Sequence, residues 1–292
     1  MFIYSKFKFR GDDLKKKIKY LEKIIKNKTK IFLAVDWFPS GHPESTSDED
    51  LKIFKNENIC SYYFGEREED SMIDFQNLTQ RQYIKIPNCA DKTFHYPTKK
   101  YDKYSYDIVF LGAKLPKKKK FFEEILIPLK KKYKVGIFGP YWTFSDNVKR
   151  VCAKLARKYR FDKLNKVIND SRITIPYEDE NKLYSSAKIC LNYHEKENKV
   201  DHYHKILNQR AFKIPACGGF QLIDNLDYLD RYYSEDEIIK CGDKEEWFEK
   251  IDYFIKNESA RNDFKNRAYI KTYKQHLYEN RINQILSLAN KI

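Results

Sequence analysis

The chain has 292 residues, with 57 Lys and Arg against 42 Asp and Glu, for a formal net charge of +15. Hydrophobic residues make up 41% and aromatics 16%, enough for real cores and too many for a disordered chain, while 9 Gly and 9 Pro exclude a collagen-like one. The mean hydropathy is −0.77 and no apolar run approaches the ~20 residues that span a bilayer, so no membrane span is expected. The N-terminus, MFIYSKFKFRGDDLKKK, lacks an apolar stretch of signal-peptide length, and a cytoplasmic location is the expectation. Cys60, Cys89, Cys152, Cys190, Cys217 and Cys241 are scattered without a CxxC pair, which fits reduced thiols better than disulfides or zinc.

In chain order, Asp12 to Lys26 reads as a helix, with Leu14, Ile18, Leu21 and Ile25 at helical spacing. KIFLAVDWF (30–38), Ile59 to Phe64 and Tyr83 to Ile86 read as short strands closed by Pro, Gly or Asn. The polar stretch Asp91 to Lys103 reads as a linker. The pattern then restarts: a strand at 106–113, a helix at 117–132, a strand at 133–142, a helix at 148–159, a strand at 171–177, a short helix at 179–186 and a strand at 187–194. A helix over Ile206–Cys217, interrupted by Pro215, leads through Gly218 and Gly219 into a strand at 218–224; helices at 244–256 and from Ser259 onward close the chain. Strands alternating with helices predict parallel α/β sheets with right-handed crossovers. Two such series predict a short N-terminal Rossmann-like domain (1–103), a C-terminal one (104–292) and a cleft between them.

Charge is concentrated. Residues 111–172 carry 18 Lys and Arg against 5 Asp and Glu, either as solvated helix faces or as a positive surface for phosphates, nucleic acid or anionic lipid. No GxGxxG, GxxxxGK[ST] or HExxH occurs, and His202 and His204 have no third ligand at metal spacing. Chemistry concentrates instead in YSSAKICLNYHEKENKVDHYHKILNQRAFKIPACGGFQLID (184–224). Its central loop follows a parallel strand, where α/β sheets bind ligands. Asn208 and Arg210 come next, and a guanidinium suits a bidentate phosphate contact or a structural ion pair. Other candidates are Asp36 as a general base or strand-end cap, His194 as a ligand contact or structural His, and Tyr141 and Trp142 as a stacking platform or core. Gly218 and Gly219 read as close helix–strand packing or ligand contact, and Cys217 as a small core residue.

NQRAFKIPACGGFQLID resembles the N-x-R-x-F-E-x-x-A-C-G-x-F-x-L-x-D signature of CgeB-like glycosyltransferases, within the group 1 GT-B class. YDIVFLG, YKVGIFGPYW and LYSSAKICLNYH upstream, and DRYYSEDEII and YKQHLYENRINQIL downstream, are similar to that family's blocks in order, from about Tyr106 to Leu286. The resemblance implies two Rossmann-like domains, a nucleotide-sugar donor such as a UDP- or GDP-sugar held mainly by the C-terminal one, and no metal or other cofactor. Basic residues then neutralise the leaving diphosphate, and Gly112, Lys114 and Lys117 are candidates beside Arg210. The signature departs at one place: the family's Glu after Phe212 is Lys213, and eight residues upstream stands Lys205. A Lys cannot accept hydrogen bonds from ribose hydroxyls, so these two positions bind the donor differently or mark a non-catalytic relative.

The expectation is a metal-independent, retaining glycosyltransferase acting on a glycan, lipid-linked or other acceptor. Peripheral membrane contact fits the charge. The alternatives are a nucleic-acid-directed protein, whether a DNA glycosyltransferase or a binder using the 111–172 block, and a non-catalytic partner protein.

Overall fold

A computed structural model describes residues 2–4, 31–34, 55–57, 59–64, 69–81, 83–172, 174–194 and 207–289. Short β-branched and aromatic runs become nine strands among these residues: β1 (Phe2–Tyr4), β2 (Ile31–Ala34), β3 (Ile59–Phe64), β4 (Tyr83–Ile86), β5 (Ile108–Leu111), β6 (Val135–Phe138), β7 (Ile189–Asn192), β8 (Gln221–Asp224) and β9 (Ile239–Cys241). They form two all-parallel sheets, ordered β1-β2-β3-β4 and β6-β5-β7-β8-β9. Ile31 pairs with Ile59 in the first, and Ile108 with both Val135 and Ile189 in the second. The expected helix at 12–26 and the residues Asp36, Lys205, His202 and His204 lie outside the described residues.

Two compact units share the chain: Met1–Cys89, Val200–Asn208 and Tyr278–Ile292 in one, Ala90–Lys199 and Gln209–Leu277 in the other. The units part at Cys89 rather than after residue 103 because the expected linker is bound within the second unit. Thr98 and Tyr101 donate backbone N–H bonds to Ser185 and Ser186 at 3.0 and 2.9 Å, and the Tyr104 hydroxyl donates to Asp179 at 2.6 Å. Within the first unit, helix α1 (Glu69–Thr79), which the sequence reading lacked, buries Phe75, and the terminal helix returns Arg281 to the carbonyls of Pro87 and Asn88.

The second sheet is buried on both faces, as a parallel sheet requires. Ile108, Phe110, Leu191 and Leu222 pack with Phe121, Phe122, Leu126, Trp247 and Ile251 on one side. Val109 and Cys190 pack with Leu183, Tyr184, Ile214 and Cys217 on the other. Full burial of each such side chain contributes roughly 1.5–3 kcal/mol. The helix at 116–129 widens into a π turn at Phe122–Leu126, where Ile127 N–H donates to Phe122 O. Pro128 has no N–H for the carbonyl four residues before it, and its ring crowds that carbonyl.

Helix α2 (Phe144–Lys158) is capped by the Thr143 side chain, which accepts from Asp146 N, and stops at Arg160 with φ +58°. A second helix, α3 (Asp162–Asp170), follows, in a stretch to which the sequence reading assigned no element. The expected strand at 171–177 does not form among its described residues. Arg172 is engaged by Asp146 at 2.7 Å, and Pro176 has no N–H for a ladder. β9, unforeseen, takes the other edge. Helix α4 (Glu180–Ser186) and helix α5 (Arg210–Ala216) flank β7, α5 starting four residues later than expected. The last expected helix is two, Glu258–Gln275 and Tyr278–Ala289.

Candidate functional site

Two neighbouring loops at the carboxyl edge of the second sheet, those after β5 and β6, are built on glycine. Gly139, after β6, has φ +122°, and a Cβ there would lie 2.5 Å from the Gly112 carbonyl oxygen. Gly112, after β5, could carry no Cβ without meeting Arg210 Nη1 at 2.7 Å. The two turns therefore lie back to back, with Gly112 N–H donating to Phe138 O at 2.8 Å and Lys114 N–H to Pro140 O at 3.0 Å.

Tyr141 follows with φ +72°, a conformation that costs a non-glycine residue about 1–2 kcal/mol. Its N–H donates to Asp146 Oδ2 at 2.5 Å, and its ring lies under the guanidinium groups of Arg150 at 5.1 Å and Arg172 at 5.7 Å. The Arg172 hydrogen bond, opposed by partial burial, holds the Asp146 carboxyl below its usual range. Trp142 is a packing residue rather than an open platform. Its indole N–H donates to Gly112 O at 2.7 Å, and its ring meets Phe110 and Phe122 edge-on.

Lys114, Leu115, Lys119, Tyr141, Asn147 and Arg150 line a cavity of about 680 Å3 beside these loops. The Lys114 ammonium also lies 5.8 Å over Trp142. Arg150 Nε is buried with no hydrogen-bond partner among the described residues. Lys117 is exposed one turn away, in the helix that walls the cavity.

At the ends of β7 and β8 the edge is closed and wired. His194 is 5% exposed and Asp224, the last residue of β8, 1%. Asp224 Oδ1 accepts from the His194 backbone N–H at 3.1 Å and lies 2.8 Å from His194 Nδ1. An ionised carboxylate can only accept, so Nδ1–H is the donor in this contact. Asp224 Oδ2 is buried with no partner among the described residues. Beside His194, Tyr193 stacks on Phe121 at 4.2 Å, and burial pushes its hydroxyl up to about 12.

Arg210 opens α5 and reaches across the edge. Nη1 donates to Leu111 O and Nη2 to Tyr193 O at 3.2 Å, so the guanidinium ties the ends of β5 and β7 together. Asn208 precedes α5 rather than lying inside it.

Lys213 is engaged inside the unit. Its Nζ lies 3.2 Å from Glu180 Oε2 and 5.2 Å over the Tyr177 ring, and His95 Nε2 is 3.9 Å from the same carboxylate. Burial alone would raise the Glu180 carboxyl, but His95 and Lys213 hold it below the usual range. Gly218 has φ +66° and Gly219 packs where a Cβ would meet Ile214 at 2.9 Å, so these glycines serve the helix–strand corner. Cys217 is buried, and burial raises its thiol well above the ordinary value.

The structure thus gathers Gly112, Lys114, Tyr141, His194 and Arg210 at one edge and assigns Trp142, Lys213 and Gly219 to packing or internal pairing. Asp224 was missed as a site residue, though a carboxylate ending the buried run QLID was a visible signal. Among the described residues no group of three His, Cys, Asp or Glu is placed to hold a metal ion.

Two parallel sheets and a glycine-turned, basic carboxyl edge define an α/β protein of the GT-B type with Rossmann-like sheets. Solved structures share that fold. A glycosyltransferase from Rickettsia africae ESF-5 aligns with TM-score 0.58 at 10% identity, over 98% of this chain and 83% of that one. Sucrose-phosphate synthase from Thermosynechococcus elongatus aligns with TM-score 0.56 at 14% identity, over 93% and 70%. Alr3699/HepE from Anabaena, in complex with UDP and glucose, aligns with TM-score 0.55 at 10% identity, over 90% and 72%. The chain belongs to the glycosyl transferase-like family, whose model matches residues 117–287. No curated protein matches it by sequence.

Proposed function

We propose that the protein is a cytoplasmic, CgeB-like glycosyltransferase that takes a sugar from a nucleoside-diphosphate sugar and passes it, with retention of configuration, to a glycan or lipid-linked acceptor. The observation that carries this reading is the second sheet's carboxyl edge: beyond β5 and β6, Lys114, Lys119 and Arg150 line a cavity together with Glu123, and at the ends of β7 and β8 stands the buried His194–Asp224 pair. The chemistry needs both. As the bond from the anomeric carbon to the diphosphate breaks, the diphosphate leaves with the electron pair, and fixed cations stabilise the growing charge without a metal ion. The acceptor hydroxyl gives up its proton to the departing diphosphate as its oxygen bonds to the sugar. His194, oriented by Asp224, is assigned the contact with the sugar or acceptor. Lys114 and Lys119 are assigned the diphosphate, with Arg210 shaping the edge through Leu111 and Tyr193. A UDP-sugar is the first donor to try, since Alr3699/HepE, which shares the fold, is recorded with UDP and glucose.

The test is a thermal-shift series with UDP, GDP, ADP and CMP in the presence of EDTA. A nucleotide at a hundred times its Kd adds about 2.7 kcal/mol, which raises the midpoint by roughly 5–10 °C in a domain of this size. If none shifts the midpoint, or all need Mg²⁺ or Mn²⁺, the metal-free donor site is wrong. A nucleotide that binds without any turnover of its sugar would favour the non-catalytic partner instead.

A further inference from the structure

The α2–α3 hairpin is amphipathic with its apolar side outward. In α2 the residues turned into the unit are Ala153 and Ala156. Phe144, Val148, Val151 and Leu155 recur every three or four residues, which places them on one stripe, and all four are exposed, Phe144 at 86%. The same holds beyond Arg160: Phe161, Leu164 and Val167 are exposed, Val167 at 64%, and α3 has no buried residue. An ordinary surface helix does the reverse, turning its large apolar side chains to the core.

The ridge has a cationic rim. Residues 144–170 hold eight Lys and Arg against three Asp, and Asp146 is paired with Arg172. Lys154 and Lys158 stand one turn beyond Val151 and Leu155, exposed beside the stripe, and Lys163 and Lys166 are exposed on α3.

We propose that the α2–α3 hairpin seats the protein on an anionic lipid bilayer, lying in the interface plane with its apolar ridge among the acyl chains and its lysines at the headgroups. Such a surface supplies both things the hairpin presents a need for: an apolar layer for the ridge and diffuse negative charge for the rim. Long lysine side chains reach headgroups while their stems stay on apolar surface. A second copy fits less well, because a two-fold contact would press one basic rim against the same rim of its partner. Nucleic acid would match the rim and could stack on Phe144 and Phe161, but it would gain nothing from the exposed Val148, Val151, Leu155, Leu164 and Val167, which have no ring and make up most of the ridge. No helix among the described residues is long and apolar enough to cross the membrane, so the attachment is peripheral. The inference stands independently of the donor site.

The experiment is co-sedimentation of the full chain with vesicles of phosphatidylcholine alone and of phosphatidylcholine with phosphatidylglycerol. Partitioning is expected onto the anionic vesicles, weaker by roughly tenfold or more on neutral ones and in high salt. Val151→Asp with Leu155→Asp should remove it, and Lys154→Glu with Lys158→Glu should remove most of it, with melting temperature and any nucleotide-induced shift unchanged. If the double Asp variant fails to fold, Phe144→Ser, at the most exposed position, takes its place. Absence of binding to anionic vesicles overturns the proposal, as does binding that survives all three variants. So does a dimer by light scattering that the Asp variant splits, or single-stranded RNA binding that depends on the lysines while vesicle binding does not.

Discussion

At the ends of β7 and β8, His194 and Asp224 are almost wholly buried and hydrogen-bonded to each other, while at the ends of β5 and β6 Lys114, Lys119 and Tyr141 line an open cavity. The two flanks of one sheet edge thus solve different problems. A group that must hold one geometry is buried, bonded at two points and fixed to strand ends. Groups that must meet a diffuse charge stand on turns and the first turn of a helix, where long side chains can adjust. The contrast teaches where substitution should act on stability and where on binding.

The largest effect is expected behind the buried flank, at Lys213. Its removal takes away the ammonium 3.2 Å from the Glu180 carboxylate, which is 7% exposed, and leaves it the Tyr184 hydroxyl and the His95 ring, so Lys213→Ala should cost about 3 kcal/mol, the low end for a broken buried pair, in denaturant unfolding at neutral pH. The pH dependence has a definite sign. The folded Glu180 carboxyl is held below its ordinary value, so its contribution is complete above the unfolded carboxylate range and is lost as pH falls through the lower folded value. In Lys213→Ala the same carboxyl loses one of the two groups that hold it down against burial and moves up, so the deficit should shrink as pH falls through the carboxylate range. A deficit independent of pH would mean that the pair is not what stabilises this corner.

A smaller loss is expected at the edge itself. Asp224→Ala removes the acceptor of two bonds from His194, one from its backbone and one from its ring, and should cost roughly 1.5–3 kcal/mol. Unchanged unfolding would show the flank to be less rigid than its bonds imply. Lys114→Ala should behave in the opposite way. Its stability should stay within about 0.5 kcal/mol of the parent, while nucleotide affinity falls by roughly tenfold or more with the charge-assisted contact. The smallest effect is expected for Tyr141→Gly. Relief of a left-handed backbone, about 1–2 kcal/mol, opposes the loss of two ring–guanidinium contacts of about 0.5–1 kcal/mol each, leaving a net change under about 1 kcal/mol.

Much of this architecture was legible in the residues. β3, β4 and the helix at Lys244–Lys256 fall where their apolar periodicity and flanking turns put them. Elements decided by tertiary contacts were not. ITIPY alternates like a strand, yet Arg172 is drawn to Asp146 instead of a ladder. IIKC is short and lies in an acidic run, and becomes β9 only because β8 offers it an edge. The terminal helix breaks where buried His276 bonds to Tyr232 O at 3.0 Å, a contact 44 residues away. The site shows the same division. Gly112, Lys114 and Arg210 could be placed at a sheet edge from strand–turn patterns alone. The pairing of Asp224 with His194, and of Lys213 with Glu180, joins positions 30 and 33 residues apart and has no sequence signal beyond the residue types.

The most direct test of the donor site is calorimetric titration of UDP, and of GDP if UDP is silent, into the parent protein, Lys114→Ala and Arg210→Ala in EDTA. Binding by the parent is expected without metal, weakened roughly tenfold or more by Lys114→Ala at unchanged melting temperature. Arg210→Ala should lower both affinity and melting temperature, because it unties β5 from β7. Equal affinity in all three proteins would place the nucleotide elsewhere and contradict the assignment of this edge.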